Sequence, residues 1–301
     1  MKEQTIGKER TAEMLLAVLA ELKARGGEPA RPRDLMQEAA KKLRLTDFEV
    51  GTYEKTGYVR WHSAVHFRSI GCVKAGYLTK SGGKWRLTEP GERALKGNPQ
   101  EFFDGIVTKY RQWKEMQGEN AEEVTPDESP AAIRRQGAYS QALEQAQGEI
   151  EEWVSKLGPY DFQQLVAELL MAMGYFIGHI APPGPDGGID IIAYKDPLGA
   201  APPWMKVQVK HRSNTKATIK EIRELIGLLK RDGDVGLFVS SGGFTPDAEK
   251  EARQASKHIE TMDLDRLAQQ WELNYDRVSQ AGCDLLPLVK LSFLAPPAEE
   301  K

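Results

Sequence analysis

The chain has 301 residues, 40% of them hydrophobic and 28% charged, with a formal net charge of −3. The length suits about two domains of ~100–200 residues each, and the composition excludes disordered and fibrous classes. No apolar run approaches the roughly 18 residues of a membrane helix, and the charged N-terminus lacks the apolar segment of a secretory signal.

Charge is distributed unevenly along the chain. Residues 1–96 hold 19 Lys/Arg against 12 Asp/Glu, whereas residues 97–158 hold 6 against 12. Residues 1–96, here called the head, are thus basic, and the segment that follows is acidic. A basic head suggests a polyanion as its binding partner, although random scatter of charged residues gives the same pattern about as often. The two cysteines, Cys72 and Cys283, form no CxxC pair, so we expect buried thiols in a reducing cytoplasm.

Helical spacing of apolar residues predicts three helices in the head, over residues 11–25, 32–43 and 59–77. Gly26 and Gly27 end the first helix. The third is expected to present one apolar face, formed by Val59, Ile70 and Val73.

A hairpin follows, because LTKSGGKWRLTEPG reads as two strands joined by a Gly-Gly turn. Helices followed by a basic hairpin are typical of a winged helix-turn-helix, whose third helix enters the major groove while the hairpin contacts the backbone. We therefore predict a winged-helix DNA-binding domain over residues 1–96. Its candidate DNA contacts are Arg60, His62, Arg68, Lys74, Lys84 and Arg86.

Residues 97–157 are predicted to be a helical and acidic linker. Residues 119–132 contain two prolines and no apolar periodicity, which is a linker composition. Residues 133–156 read as a polar helix with Ile150 and Trp153 as its apolar anchors.

From residue 158 to 301 the pattern changes to α/β. Residues 161–174 carry a continuous apolar stripe, which predicts a buried helix. Strands are predicted over 188–194, 205–210, 235–241 and 259–263, and helices over 218–230 and 264–272, with a further helix opened by Thr245-Pro246-Asp247. The apolar tail, 285–297, is expected to pack across the domain surface.

The chemistry is predicted at PPGPDGGIDIIAY and the VQVK that follows it. Side chains alternate along a strand, so Gln208 and Lys210 share one face. If the two strands pair, Asp190 converges with them, and an acid, an amide oxygen and an ammonium suit a hard cation near a phosphodiester. Taken alone, the strand favours a structural role for Asp190, as a turn cap or an ion-pair partner of Lys210.

Five segments in this order, FQQLVAELLMAMGY, GPDGGIDII, DPLG, VQVK and FVSSGGFTPDA, resemble the Mrr-like restriction endonucleases of the PD-(D/E)xK superfamily, in a QxK variant. The head resembles the Mrr N-terminal winged-helix domain. The resemblance implies an α/β nuclease core of the restriction-endonuclease type, with a mixed central sheet flanked by helices.

The resemblance also implies roles for individual residues. Asp190 is the metal-binding acid, Gln208 helps to hold the metal or water, and Lys210 orients the attacking water or neutralises the scissile phosphate. The backbone carbonyl of Val209 completes the metal shell, and Asp186 is an auxiliary ligand.

One position departs from the family, whose first core helix carries Glu directly after its opening Phe. This chain has Gln163 there, which we take as an auxiliary residue. Helical geometry places Gln163 at the edge of the apolar stripe, facing a cleft, and Glu168 at the back as a solvated charge. The site therefore has few carboxylates, which puts its metal affinity in question.

Other polar residues have plainer interpretations beside the functional ones. His62 and His66 are one turn apart, but with no third ligand we expect them to pack or to touch phosphate. His211 is as readily a solvated neighbour as a phosphate contact. Residues 206–231 hold eight Lys/Arg against two acids, which is either a helix-surface run or a DNA-facing patch.

These patterns together predict a type IV-like restriction endodeoxyribonuclease that uses Mg²⁺, or Mn²⁺ in its place. Its partner is double-stranded DNA, including methylated DNA, and cutting both strands calls for a homodimer or higher homo-oligomer. Two alternatives stay open: a non-catalytic DNA-binding protein with a degenerate nuclease fold, and a winged-helix regulator.

Overall fold

The computed structural model describes residues 5–54, 56–116, 130–182, 184, 188–212 and 215–292. The chain divides into two compact units, the first ending at Gly148 and the second beginning at Glu149. No helix within the described ranges is long and apolar enough to cross a membrane.

The first unit is helical with one small hairpin. Its elements are α1 (Lys8–Ala24), α2 (Pro32–Ala40), α3 (Asp47–Val50), α4 (Arg60–Lys74), β1 (Leu78–Ser81), β2 (Lys84–Leu87), α5 (Glu89–Ala94), α6 (Pro99–Met116) and the first part of α7 (Pro130–Ser155). The predicted hairpin is confirmed: β1 and β2 pair antiparallel. Gly82 and Gly83 close it with φ of 55° and 67°, a left-handed backbone that favours glycine.

The core of this unit lies between α1, α2, α4 and the hairpin. Trp85 of β2 is fully buried there, and α6 adds Phe102 and Ile106. The predicted apolar face of α4 is wrong in part, since Val73 is 36% exposed. The buried face runs through Trp61 and Cys72 instead, because α1 and α6, distant in sequence, close on that side.

Helix α7 is longer than the predicted polar helix and crosses the division between the units. Of its two predicted anchors, Ile150 is buried, whereas Trp153 is 48% exposed. The indole Nε1 of Trp153 donates a hydrogen bond to the Leu285 carbonyl at 2.8 Å.

The second unit is a five-stranded sheet with helices on both faces. Its elements, after the end of α7, are α8 (Pro159–Ala172), β3 (Phe176–Ile180), β4 (Ile191–Tyr194), β5 (Trp204–Lys210), α9 (Ile219–Leu228), β6 (Asp234–Ser240), α10 (Pro246–Gln254), β7 (Ile259–Asp263), α11 (Leu264–Asn274) and α12 (Gln280–Leu285). A single 3₁₀ turn, Tyr275–Arg277, joins the last two helices.

The strand order is β3-β4-β5-β6-β7. The pairs β3–β4 and β4–β5 are antiparallel, and β5–β6 and β6–β7 are parallel, so the predicted mixed sheet is confirmed. Edge strand β3 has no counterpart in the prediction.

Alternation along the central strands divides the unit into two apolar layers. Val207 and Val239 face α8 and α11, where Phe162 and Trp271 are fully buried. Phe238 faces the other layer, formed with α9 and α10. The predicted packing of the apolar tail is confirmed for Leu286, which is 2% exposed, but it is wrong for Val289 and Leu291, which are 96% and 77% exposed. Residues 293–297 of the tail lie outside the described residues.

The connection between β4 and β5 is a short loop ordered by one carboxylate. Asp196 accepts hydrogen bonds from the backbone N–H groups of Leu198, Ala200 and Ala201 at 3.0–3.1 Å. These bonds hold the pKa of Asp196 below its ordinary value. Leu198 lies at the loop tip and is 88% exposed.

Candidate active site

The antiparallel hairpin of β4 and β5 brings the predicted acid and amide together. Ile191 lies opposite Val207, so Asp190, which immediately precedes β4, lies beside Gln208. Two hydrogen bonds fix this placement: the Asp190 N–H donates to the Val207 carbonyl at 2.9 Å, and its Oδ2 accepts from the Val209 N–H at 2.8 Å. The carboxylate of Asp190, 8% exposed, is therefore held at the end of β5.

Gln208 and Lys210 share one face of β5, as strand alternation predicts. Gln208 is buried, and its Oε1 has no hydrogen-bond partner within the described part of the chain. A buried amide oxygen without a partner costs about 1–3 kcal/mol, which marks it as a place for an additional ligand. Lys210, two residues after Gln208 along β5, is half-buried.

Gly188 allows the chain to pass close to Gln208. Its φ is 89°, and an added Cβ would lie 3.3 Å from Cδ1 of Leu228 and 3.9 Å from Nε2 of Gln208. A side chain here would be strained and would narrow the space beside the amide. The neighbouring Asp186 lies outside the described residues, so its role as auxiliary ligand stays a prediction.

Gln163 contacts the same segment from α8. It is 6% exposed, and its Nε2 donates to the carbonyls of Ala181 and Asp190 at 3.0 and 3.3 Å. Gln163 was expected to face a cleft, but its amide instead binds two backbone carbonyl groups. The amide holds the residue that carries the candidate ligand, so Gln163 acts on the site through Asp190.

Glu168 is not the solvated charge that helical geometry predicted. It is 5% exposed, its Oε2 accepts from Ser279 Oγ at 2.7 Å, and its Oε1 accepts from Gln164 at 3.1 Å. The prediction failed because α12 packs over that side of α8: an added Cβ at Gly282 would lie 3.2 Å from Cβ of Glu168.

His211 directly follows β5 and lies against α8. Its ring stacks on Phe162 with centroids 4.5 Å apart, and Nε2 lies 3.0 Å from the Leu157 carbonyl. Burial lowers the pKa of His211, so the ring is neutral at physiological pH. The structure favours packing over either the solvated or the phosphate-binding alternative.

Ser240 is a polar residue of this region that the sequence analysis did not single out. It lies opposite Lys210 on the parallel strand β6, on the same face, and is 1% exposed. Its Oγ has no hydrogen-bond partner among the described residues. The signal was present in FVSSGGFTPDA, but one of two neighbouring serines at the end of a strand carries little weight from sequence alone.

The six candidate DNA contacts of the first unit have different surroundings. Arg60 donates to the Phe48 carbonyl at 3.1 Å and lies over the Phe48 ring at 4.8 Å, and Arg68 lies over Phe103 at 5.2 Å. Burial lowers the pKa of His62 to about 4, so it is uncharged at neutral pH. The exposed cations of this set are Lys74 and Arg86, whereas Lys84 is half-buried, as Arg60 and Arg68 are.

The donors at the β4–β5 end suit a hard cation that keeps several waters. They are the Asp190 carboxylate and the partnerless Gln208 Oε1, with the Val209 carbonyl as a further oxygen ligand. Mg²⁺ is usually held by one or two carboxylates plus waters and substrate phosphates. The described residues contain no group of three His, Cys, Asp or Glu that could hold a metal, so any bound ion depends on this small set.

Comparisons with known proteins match both parts of the chain. Residues 154–271 match the family described as restriction endonuclease, of the Mrr catalytic type, and residues 12–97 match the Mrr N-terminal domain. The uncharacterized protein y4cE of Sinorhizobium fredii is 34% identical over 100 residues, which is 32% of this chain and 25% of its own length.

A solved structure titled MspJI restriction endonuclease in complex with a 27-mer oligonucleotide aligns at 16% identity and a TM-score of 0.35. The alignment covers 67% of this chain and 50% of the chain in that structure. The chain thus spans about a quarter of the curated relative and half of the solved structure.

Proposed function

Because the chain combines an Mrr N-terminal domain with an Mrr-type restriction endonuclease domain, we propose that it is a Mg²⁺-dependent endonuclease that hydrolyses DNA phosphodiesters. The observation that carries the proposal is the convergence at the end of β5. There a fixed carboxylate, a buried amide oxygen without a partner and an ammonium lie on adjacent residue pairs of one hairpin.

In this proposal Asp190 and Gln208 hold the metal, with Val209 supplying a backbone oxygen. A bound Mg²⁺ would polarise a phosphoryl oxygen and lower the pKa of a bound water. Mn²⁺ is the alternative ion for the same oxygen donors. The hydrogen bond from the Val209 N–H fixes the Asp190 carboxylate, so little reorganisation is needed when the cation binds.

Lys210 supplies positive charge beside the phosphate. Charge develops on the phosphoryl oxygens during hydrolysis, and an ammonium in a half-buried position stabilises it more than one in water. Gln163 positions the Asp190 backbone and does not touch the reacting atoms.

The biological role we propose is type IV-like restriction, the cleavage of foreign DNA that carries modified bases, in the cytoplasm. Breaking both strands of a duplex needs two such sites, so the working form is a homodimer or higher homo-oligomer. Comparison of methylated and unmethylated plasmid tests the substrate, and light scattering with and without DNA tests the assembly.

The catalytic proposal is tested by plasmid nicking across a metal titration. Asp190→Ala and Lys210→Ala should each lower nicking by at least about 10²-fold. Lys210→Ala should leave the thermal melt nearly unchanged, whereas Asp190→Ala leaves the buried Val209 N–H without its acceptor and should lower Tm by a few degrees without unfolding the protein. Lys250→Ala, an exposed lysine on α10, is the matched control and should cut as the wild type does.

The two losses should differ in their response to metal. Asp190→Ala removes a ligand, so high Mg²⁺ or Mn²⁺ should restore part of its activity. Lys210→Ala leaves the ligands in place, so added metal should not help. Wild-type cleavage by either folded variant would contradict the site.

A second function has one observation in its favour. The described site contains a single carboxylate, which suits a DNA-binding protein that keeps a degenerate nuclease fold. That reading predicts duplex binding without any metal-dependent nicking by the wild type, on methylated or unmethylated plasmid. A regulator acting through the winged helix alone leaves the second unit without a purpose.

A further inference from the structure

Helix α4 presents its outward face to α7. At about 100° per residue, Ser63 lies opposite the buried side of α4, which is centred on Trp61, Val65 and Cys72. An added Cβ at Gly137 of α7 would lie 2.6 Å from the Ser63 carbonyl oxygen, and Gln141 Nε2 donates to Ser63 Oγ at 2.8 Å. The face that a winged-helix protein offers to the major groove is thus occupied by the chain itself.

The same helix places a carboxylate among the nitrogen atoms of the hairpin and α4. Glu144, 9% exposed, accepts from Lys80 Nζ at 2.7 Å and from Trp85 Nε1 at 3.0 Å. Nδ1 of His66 lies 3.3 Å from the same carboxylate. Charge-assisted donors that converge on one anion are the usual means of binding a phosphate oxygen.

Helix α7 also covers the tip of the hairpin. The Gly83 N–H donates to Gln147 Oε1 at 3.0 Å, and an added Cβ at Gly83 would lie 2.6 Å from the Glu144 carbonyl oxygen. Backbone N–H groups at such a turn are the ones that a winged helix directs at the DNA backbone. The hydrogen bond that the hairpin tip donates to α7 is therefore of the kind that it would donate to a DNA phosphate.

The contacts that α7 makes here are mainly polar. The apolar core of the first unit includes Phe102 and Ile106 of α6 but, within the described residues, no residue of α7. Helix α7 also lies outside residues 12–97, which match the Mrr N-terminal domain. Its removal would leave that core intact and would expose Lys80, the tip of the hairpin and the outward face of α4.

We propose that Lys80, Trp85 Nε1 and the hairpin tip form a binding site for a DNA backbone phosphate, and that Glu144 of α7 occupies it until DNA displaces the helix. The proposal rests on the proposed function, because it assigns the DNA-docking surface of a DNA endonuclease. Duplex DNA and α7 compete for one surface. The apparent affinity for DNA is therefore the intrinsic affinity of the uncovered surface multiplied by the fraction of molecules in which α7 is displaced.

The test is binding of a fluorescein-labelled 30-base-pair duplex to the full chain in EDTA, measured by anisotropy. Glu144→Gln keeps the size of the side chain but removes the charge that holds Lys80, so we expect affinity to rise about tenfold. The matched control is Glu152→Gln, the same change on α7 at an exposed carboxylate that pairs with Lys156; it should alter affinity less than twofold.

Adding Lys80→Ala to Glu144→Gln separates docking from general charge. If Lys80 binds phosphate, the double variant loses the gain, and its log–log salt slope becomes shallower by about 0.9. An unchanged slope and a retained gain would overturn the assignment of Lys80. Thermal melts of each variant establish that the first unit is folded.

A second experiment, a covalent crosslink between α4 and α7, tests the proposal if the Glu144→Gln variant does not fold. Ser63→Cys and Gln141→Cys, joined by a short thiol crosslinker in a Cys283→Ser background, fix α7 on α4. We expect the locked protein to bind duplex at least tenfold more weakly than the same protein without crosslinker. Equal binding by locked and unlocked protein would overturn the proposal, even if metal-dependent nicking is normal. Nicking that is absent while the lock still controls binding would overturn the proposed function alone.

Discussion

The exchange Gln163→Glu, which restores the residue type of the family, should destabilise this protein. The Gln163 amide donates two hydrogen bonds to carbonyl oxygens in a buried position, and a carboxylate there would face both oxygens as an unpaired charge. Losing the bonds costs about 2 kcal/mol and the unsatisfied acceptor about 1–3 kcal/mol more, so we expect a loss of about 3–5 kcal/mol. At 2–4 °C per kcal/mol, Tm should fall by roughly 10 °C.

The loss should depend on pH with a defined sign. A carboxyl facing two carbonyl oxygens has a folded-state pKa above its unfolded value of about 4.3. The charge-dependent part of the penalty is therefore absent below about pH 4.3, grows as pH rises through the folded-state pKa, and is complete at pH 8. The loss of one hydrogen bond remains at every pH, because a protonated carboxyl has one donor where the amide has two. Melts in EDTA at pH 5 and pH 8 measure it, with the exposed Gln269→Glu as control. An equal Tm for variant and wild type at pH 8, or nicking raised above that of the wild type, would refute the role of the Gln163 amide in holding the backbone at Asp190.

Three further results are expected. Glu168→Ala should lower Tm by roughly 5 °C, because it removes a buried carboxylate that accepts hydrogen bonds from Ser279 Oγ and Gln164 Nε2, and an unchanged Tm would mean that α12 does not cover it. Ser240→Ala should leave Tm unchanged or slightly higher, since its Oγ has no partner, while lowering nicking; a clear loss of stability would show a structural role instead. Burial raises the pKa of Asp234, but the hydrogen bonds from Lys206 Nζ and the Arg231 N–H and the positive charges of these two residues together outweigh it, so the pKa lies below its ordinary value. The stability that Asp234→Asn removes should therefore be full at neutral pH and lost as pH falls below about 4, measured in urea titrations.

The sequence predicted the site well where the information was local. Strand alternation placed Gln208 and Lys210 on one face, and the pairing of their strand with the one after Asp190 is confirmed. The two strands are near neighbours along the chain, so the period of two and a short connection were enough.

The failures have a common physical cause in segments far away along the chain. Helical periodicity gives the angle of Glu168 on α8, but not the arrival of α12 more than 100 residues later. The face of α4 was misjudged in the same way, since the residues of α1 and α6 that bury Trp61 and Cys72 lie far from α4 along the chain. Strand β3 was missed because an edge strand with exposed side chains leaves little apolar pattern to detect.

The loop between β4 and β5 offers a practical position for a probe. Its conformation is held by Asp196 from within, and it joins the ends of the two strands that lie away from Asp190 and Lys210. A fluorophore attached at Leu198→Cys, in a chain without the Cys283 thiol, should leave the hairpin register and the reactive end undisturbed. Binding and cleavage can then be followed on one labelled protein, with the label and the chemistry at opposite ends of the same two strands.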